Sequence, residues 1–295
     1  MHALTRMCPA KVNLFLKVIG RRPDGYHNLI TVMQPLSLAD ELTLTLTGKA
    51  IGLACDHPEL PQDERNLAYR AAQVFQAARG QKFGVEIRLK KNIPVAAGLG
   101  GGSSNAAGVL IGLNALHGYP LSYGALHRLA ARLGADVPFF LLGGPALGRG
   151  IGTELTPLRL PAYWYVLVNP GFAVPTGWVY ANLTLNRNRT EENVICGRLA
   201  CQTWATWFDN DLESVTLKAF PQLGVLKVAL SRQGAQATLM SGSGPTVFGV
   251  FPHQAAAQRA AEHLKNTGAG WLQVTQGISG DHLLTGPEES LAWMN

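Results

Sequence analysis

The first clear pattern in the chain is an alternation of residues between Ala10 and Ile19. A period of two places successive side chains on opposite faces of a β-strand, so the segment predicts a strand with one face on a core. Lys11 and Asn13 are expected to project from the same face. The two predicted faces carry Ala10, Val12, Leu14, Leu16 and Val18, and Lys11, Asn13, Phe15, Lys17 and Ile19.

The rest of the first half shows the two-residue period of strands in some segments and the 3.6-residue period of helices in others. The predicted strands lie at 30–36, 41–46 and 83–89, with a strand-turn-strand at 143–152. The predicted helices lie at 66–79, 106–116 and 122–133, the last capped by Ser122.

A domain boundary is predicted near Pro157 to Pro161, which divides the chain into domains 1–157 and 158–295. The second domain is expected to be a small α+β unit of about four strands. Its predicted strands are 163–168, 237–240, 247–251 and 271–275, and its predicted helices begin at 175 and cover 191–207, 211–220, 224–232 and 255–266.

A glycine-rich segment, the glycine loop (residues 94–104), directly precedes the predicted helix at 106–116. Glycine lets the backbone turn tightly, and a helix N-terminus favours anions, so the segment predicts a phosphate site. Ser103, Ser104 and Asn105 are expected to cap the helix. The loop consists of Pro94, Val95, Ala96, Ala97, Gly98, Leu99, Gly100, Gly101, Gly102, Ser103 and Ser104.

The glycine loop matches neither of the two commonest phosphate-loop patterns. A Walker loop requires Lys after its last glycine, and the dinucleotide fingerprint requires a glycine three residues after Gly100. Ser103 occupies both positions. Considered alone, the segment is equally well explained as a flexible turn before a buried helix.

Two other short segments carry candidate chemistry. Tyr26 and His27 follow a Pro-Asp-Gly turn, and their rings suit a flat heterocycle, although a plain hairpin turn with Tyr26 packed on its rim is the alternative. Asp136 stands two residues before Pro138 and an apolar run. A capping carboxylate is common at such a position, so capping is its default explanation.

Composition narrows the class of protein. With 295 residues, 47% of them hydrophobic and 15% charged, the chain is typical of a compact soluble enzyme. The net charge of +6 suits an anionic ligand and suits RNA equally. The basic residues are scattered, which disfavours an extended nucleic-acid-binding face.

The cysteine pattern and hydropathy predict a cytoplasmic location. The four cysteines contain no CxxC pair and no neighbouring histidine that would complete a zinc site, which indicates free thiols. The sequence has neither a secretory leader pattern nor an apolar stretch of about 18 residues. The cysteines are Cys8, Cys55, Cys196 and Cys201.

Three separated motifs, at 9–14, 94–104 and 241–245, together resemble the superfamily of galactokinase, homoserine kinase, mevalonate kinase and phosphomevalonate kinase. Segments 22–27 and 133–138 are most similar to the branch that phosphorylates the 2-hydroxyl of a cytidine diphosphate-linked methylerythritol, in the non-mevalonate route to isoprenoids. The resemblance implies an α+β fold: a ribosomal-protein-like ATP-binding domain, then a ferredoxin-like domain, with the active site in the cleft between them.

The resemblance also implies ATP and Mg²⁺ as cofactors and assigns the catalytic residues. Asp136 would be the general base, Lys11 would keep it ionised and stabilise charge on the phosphoryl group, and Asn13 would orient the substrate hydroxyls. The glycine loop would surround the triphosphate, with Asn66 and Leu67 beside the adenine. The resemblance leaves the metal ligands and the oligomeric state open.

The partner that the resemblance implies is a small cytidine diphosphate substrate, not nucleic acid and not a membrane. The residues expected to bind this substrate, besides Asn13, are Tyr26 and His27 at the base, Tyr180 across it, Thr176 at the diphosphate, and Ser241 and Gly242.

Two alternatives stay open. The chain could be another kinase of the superfamily, such as one acting on homoserine, or a non-catalytic nucleotide- or RNA-binding protein on the same fold. Lys11 with Asp136 disfavours the second alternative, because binding alone does not require that pair.

Overall fold

The computed structural model describes residues 3–48, 50–185, 189–194, 208–265 and 269–279, with the side chains of 192 and 193 left out. The strands are β1 Ala3–Arg21, β2 His27–Thr47, β3 Ile51–Cys55, β4 Gly84–Lys90, β5 Ala146–Arg149, β6 Glu154–Pro157, β7 Trp164–Asn169, β8 Asp209–Asn210, β9 Ala237–Met240, β10 Val247–Phe251 and β11 Trp271–Gln276. The helices are α1 Leu67–Arg79, α2 Gly101–Leu116, α3 Tyr123–Leu133, α4 Val137–Leu142, α5 Thr176–Ala181, α6 Glu191–Val194, α7 Glu213–Ala219, α8 Gln222–Arg232 and α9 Gln254–Lys265.

The first sheet is built around the long hairpin of β1 and β2. Its strand order is β3-β4-β2-β1-β8, and β5 pairs with both β2 and β6. The buried residues of α1 to α4 pack on one face of it, with Leu42 and Leu44 of β2 and Val85 and Ile87 of β4. The sequence predicted two strands at 30–36 and 41–46, but both belong to the continuous strand β2.

The second sheet is antiparallel, in the order β11-β7-β10-β9. Its residues Tyr165, Leu167 and Phe248 share a core with Val12 and Phe15 of the first sheet. Helices α8 and α9 cover its other face. The α+β fold that the resemblance implies is confirmed, whereas the boundary between residues 157 and 158 stays a prediction.

A bulge in β1 changes the predicted alternation. Asn13 pairs with Met33 and Phe15 with Val32, so Leu14 is an extra residue in the ladder. Phe15 therefore joins the core that contains Val12. The prediction that Phe15 shares a face with Lys11 and Asn13 is wrong, because the strand's two-residue period is broken at Leu14.

Several helix boundaries also differ from the prediction. Helix α2 begins at Gly101 with Gly100 as its cap, so Ser103, Ser104 and Asn105 all lie inside the helix and do not cap it. Ser122 caps α3 as predicted. Of the helix predicted at 191–207, residues 191–194 form α6 and the rest lies outside the described residues.

Two of the four cysteines lie in the described part of the chain. Cys8 and Cys55 are free thiols, and Cys196 and Cys201 lie outside the described residues. No helix within the described ranges has the length and hydropathy needed to span a bilayer.

Candidate active site

A cleft of about 910 Å³ opens where β1, the glycine loop, α5 and the loop of residues 241–245 (the 241–245 loop) meet. It brings together eleven residues that the sequence singled out. They are Lys11, Asn13, Tyr26, His27, Gly98, Gly100, Ser103, Asp136, Thr176, Tyr180 and Gly242. Residues to which the sequence analysis assigned no role at the site also line the cleft, among them Leu16, Arg21, Thr31 and Ser243.

The cleft places an ammonium group beside a carboxylate. Lys11 Nζ, on β1, lies 3.5 Å from Asp136 Oδ2. The Lys11 residue is 4% exposed, whereas the side chain of Asp136 is 38% exposed. Asp136 precedes α4 but makes no capping hydrogen bond with its side chain. Its carboxylate is thus open to the cleft, and capping does not explain the residue.

A chain of hydrogen bonds fixes the ammonium of Lys11. Lys11 Nζ donates to Asn13 Oδ1 at 2.5 Å, and Asn13 Nδ2 donates to Thr31 Oγ1 at 2.8 Å. The Thr31 hydroxyl in turn donates to the carbonyl oxygen of Phe15 at 2.7 Å. The amide orientation of Asn13 is therefore determined by its two partners. Thr31 on β2 has no signal in the local sequence, because its role depends on the pairing of β1 with β2.

Two glycines of the glycine loop have a left-handed backbone and close neighbours. A Cβ on Gly98 (φ +76°) would clash with the carbonyl oxygen of Ser241. A Cβ on Gly100 (φ +73°) would lie 2.9 Å from Phe140 Cζ and 3.1 Å from Lys11 Cγ. Both positions require glycine, because the loop, Lys11 and the 241–245 loop approach one another so closely.

Buried charges hold both ends of the glycine loop. Asp40, on β2, accepts hydrogen bonds from the backbone N–H groups of Asn92 at 2.8 Å and Ile93 at 2.9 Å, just before the loop. Its other oxygen accepts from Asn105 Nδ2, at 2.9 Å, in the first turns of α2. Lys91 Nζ forms an ion pair with Asp40 and donates to Asn105 Oδ1. The start of the loop and the start of α2 are thereby joined through one carboxylate.

The 241–245 loop packs directly on the glycine loop. Ser241 Oγ donates to the carbonyl oxygen of Gly98 at 2.9 Å. A Cβ on Gly242 would lie 3.4 Å from Asn13 Oδ1 and 3.7 Å from Lys11 Nζ. The hydroxyl groups of Thr176 and Ser243 are 2.9 Å apart. The second and third sequence motifs therefore meet at Lys11.

Aromatic rings form another wall of the cleft. The rings of His27 and Tyr180 are stacked, and Tyr26 is 58% exposed. Burial lowers the pKa of His27, and the positive charge of Arg21 lowers it further, so the neutral imidazole is favoured. Burial raises the pKa of the Tyr180 phenol, and the carboxylates of Asp136 and Asp211 raise it further.

The remaining predicted site residues do not line the cleft. They are Asn66, Leu67, Pro94, Val95, Ala96, Ala97, Leu99, Gly101, Gly102, Ser104 and Ser241. Among them, Asn66 caps α1 by accepting a hydrogen bond from the N–H of Ala68, and Leu67 Cδ1 would be 3.8 Å from a Cβ on Gly102.

Two family matches cover both parts of the fold. Residues 66–144 match the family described as GHMP kinases N terminal domain, and residues 194–270 match GHMP kinases C terminal. The chain is also similar in structure to a homoserine kinase from Cytophaga hutchinsonii, with a TM-score of 0.76 at 21% identity over 95% of each chain. At that identity the likeness shows the fold alone.

More similar relatives share one name. The chain is 46% identical to the 4-diphosphocytidyl-2-C-methyl-D-erythritol kinase of Geobacter sulfurreducens. The alignment spans 267 residues and covers 90% of this chain and 96% of that protein. The kinase of the same name from Syntrophotalea carbinolica is 47% identical, and the alignment covers 90% of this chain and 95% of that protein. A crystal structure of 4-(cytidine 5'-diphospho)-2C-methyl-D-erythritol kinase has a TM-score of 0.77 and 41% identity, over 94% of this chain and 100% of that one. This chain is therefore an ATP-dependent small-molecule kinase and belongs to the 4-diphosphocytidyl-2-C-methyl-D-erythritol kinase family of the GHMP kinases.

Proposed function

We propose that the chain transfers the γ-phosphoryl group of ATP to the 2-hydroxyl of 4-diphosphocytidyl-2-C-methyl-D-erythritol, in the cytoplasm, on the non-mevalonate route to isoprenoid precursors. The names of the relatives support this substrate. The observation that carries the reaction type is the 3.5 Å approach of Lys11 Nζ to Asp136 Oδ2 inside the cleft.

In the proposed reaction, Asp136 accepts the proton of the substrate hydroxyl as its oxygen forms a bond to the γ-phosphorus. The bond from that phosphorus to the β-γ bridging oxygen breaks, and ADP leaves. A positioned general base contributes about 10²–10⁴ in rate. Lys11, held by Asn13, forms an ion pair with Asp136 that orients the carboxylate, and it faces the charge that develops on the phosphoryl oxygens.

The glycine loop is proposed to bind the triphosphate through backbone N–H groups, next to the N-terminus of α2. Asn66 and Leu67 are proposed to border the adenine. At the other side of the cleft, Tyr26, His27 and Tyr180 bind the cytosine, Thr176 contacts the diphosphate, and Ser241 and Gly242 contact the substrate.

Mg²⁺ is proposed to accompany ATP. The described residues contain no group of three or more His, Cys, Asp and Glu side chains able to hold a metal. Magnesium commonly binds through one or two carboxylates together with substrate phosphates, and the Asp136 carboxylate and Ser103 hydroxyl line the cleft. These residues fit a phosphate-bound Mg²⁺, which would neutralise part of the charge on the phosphate oxygens.

The test is a coupled assay of ADP release with the purified chain, ATP and three alcohols: 4-diphosphocytidyl-2-C-methyl-D-erythritol, homoserine and mevalonate. Turnover is expected with the cytidine compound alone. Equal turnover with homoserine or mevalonate would overturn the substrate assignment.

The role of Asp136 is tested separately. Asp136→Asn is expected to lower kcat by about 10²-fold or more while ATP and substrate still bind, because it removes the proton acceptor and keeps the shape. Asp63→Asn is the control, since Asp63 pairs with Arg65 at the surface, outside the cleft. Unchanged kcat in Asp136→Asn would rule out the base.

A further inference from the structure

Asn210 lies under the 241–245 loop and is bonded to its backbone. The residue is 4% exposed, and its Nδ2 donates to the carbonyl oxygens of Met240 and Gly242, both at 2.8 Å. Its Oδ1 accepts from the N–H of Leu212 at 3.0 Å. An asparagine amide has two N–H donors, and both are used here on the loop.

These bonds determine which way one loop peptide faces. In a trans peptide, the carbonyl of one residue and the N–H of the next point in opposite directions. The Gly242 carbonyl faces Asn210, so the N–H of Ser243 points away from Asn210. The Ser243 carbonyl is also held inward, by the hydroxyl of Thr216 at 3.2 Å.

The loop therefore offers two backbone donors. The N–H of Ser241 donates to Thr246 O, and that of Gly244 donates to Ser241 O. Across the described ranges, the N–H groups of Gly242 and Ser243 have no acceptor. Both residues line the cleft, and Gly242 has a left-handed backbone at φ +56°. Successive N–H groups in such a turn form a concavity that binds anions.

We propose that the N–H groups of Gly242 and Ser243 bind a phosphate oxygen of a substrate, and that Asn210 is the positioning residue that aims them into the cleft. The site is beside Lys11, whose Nζ would be 3.7 Å from a Cβ on Gly242. The phosphate belongs either to ATP or to the cytidine diphosphate compound. This choice of ligands rests on the proposed function.

The first test observes the two amides directly, in the unaltered full chain. The ¹⁵N-labelled protein is titrated with a non-hydrolysable ATP analogue that carries all three phosphates and, separately, with cytidine diphosphate, and the amide proton resonances of Gly242 and Ser243 are followed. A downfield shift of both with the ATP analogue assigns the site to ATP, and a shift with cytidine diphosphate assigns it to the other substrate. Unshifted amides at saturation with both ligands would overturn the proposal. Neither titration depends on turnover, so a wrong substrate assignment is recognised separately, in the ADP-release assay.

The second test asks whether Asn210 acts through the loop. Asn210→Ala is expected to raise KM for one phosphate-bearing substrate by about 10-fold, and KM for the other by less than about 3-fold. Asn210→Asp, which keeps the shape but turns an oxygen toward the carbonyls, is expected to behave like the alanine variant.

Asn114→Ala is the matched control. Asn114 is also buried and bonds to the backbone N–H and carbonyl of Leu121, both at 3.0 Å, but it does not line the cleft. It is expected to lower Tm without changing either KM. If Asn210→Ala changes the two KM values no more than Asn114→Ala does, Asn210 has only a structural role. The proposal that it positions the two amides then fails. If the Asn210 variants do not fold, the titration of the unaltered chain still decides whether the two amides bind phosphate.

Discussion

The imidazole of His27 stacks on the phenol of Tyr180, with ring centroids 5.0 Å apart and planes inclined by 28°. A base placed between two rings needs one stacking distance on each side, so none fits between these two as they stand. The exposed ring of Tyr26 is therefore the open stacking surface on this wall.

We predict that Tyr26→Ala raises KM for the cytidine substrate far more than KM for ATP. Stacking of a base on an aromatic side chain is worth about 1–3 kcal/mol, or roughly 5- to 150-fold. Tyr26→Phe, which keeps the ring, is the control and is expected to remain near wild type. Steady-state kinetics with each substrate varied in turn measures both constants, and equal increases in the two would contradict this role for Tyr26.

A second prediction concerns the approach of the glycine loop to Lys11. Gly100→Ala is expected to lower kcat by about 10-fold or more, because the added Cβ would displace Lys11 and small misplacements in an active site are costly. Gly118→Ala is the matched control: it has the same φ of +73° and nothing within 4 Å of an added Cβ.

Both glycine variants are expected to lose about 1–2 kcal/mol of stability from the left-handed backbone. Only Gly100→Ala is expected to lose activity. Urea unfolding measures the first effect and the assay of ADP release the second. A similar kcat in the two variants would mean that the space around Gly100 is not needed for catalysis.

A third prediction tests the buried charges behind the loop. Lys91→Met is expected to lower the free energy of unfolding by about 3–5 kcal/mol, because it leaves the carboxylate of Asp40 buried without its cation. Arg88→Met, which breaks an exposed pair with Glu86, is expected to change it by less than about 1 kcal/mol. Urea unfolding of both variants measures the change in the free energy of unfolding, and equal losses in the two would contradict the importance of the buried pair.

A fourth prediction concerns thiol reactivity. Burial raises the pKa of the Cys8 thiol to about 12, and the thiolate is the reactive form. Iodoacetamide at about pH 8 is therefore expected to label the half-buried Cys55 and leave Cys8 unmodified in the folded protein, whereas urea exposes both. Peptide mass spectrometry measures the labelling. Equal rates of labelling at the two cysteines in the folded protein would contradict the raised pKa of Cys8.

Local sequence signals predicted the part of the site that short segments determine. The alternation around Lys11, the glycine loop and the turn before Tyr26 each place their residues at the cleft. Those signals are periodicity and turn chemistry, which depend on neighbours within a few residues.

The other features depend on partners far along the chain. The position of the β1 bulge follows from its register with β2, and Asn210 acts on a loop 30 and more residues away. Periodicity carries no information about such pairings. The start of α2 at Gly101 differs from the prediction for a related reason. Glycines at 101 and 102 are poor helix formers, yet both lie in the helix, and at 101 a larger side chain would meet Ile93.

The extra residue at Leu14 has a consequence for changes in chain length. Because Asn13 and Phe15 pair with the adjacent residues Met33 and Val32, deleting Leu14 would close the bulge and leave the faces of the following side chains unchanged. Deleting Leu16, which is also buried, would instead exchange the faces of Lys17 and Val18. The Leu14 deletion is therefore expected to retain more of the free energy of unfolding than the Leu16 deletion, and urea unfolding of the two variants measures the difference.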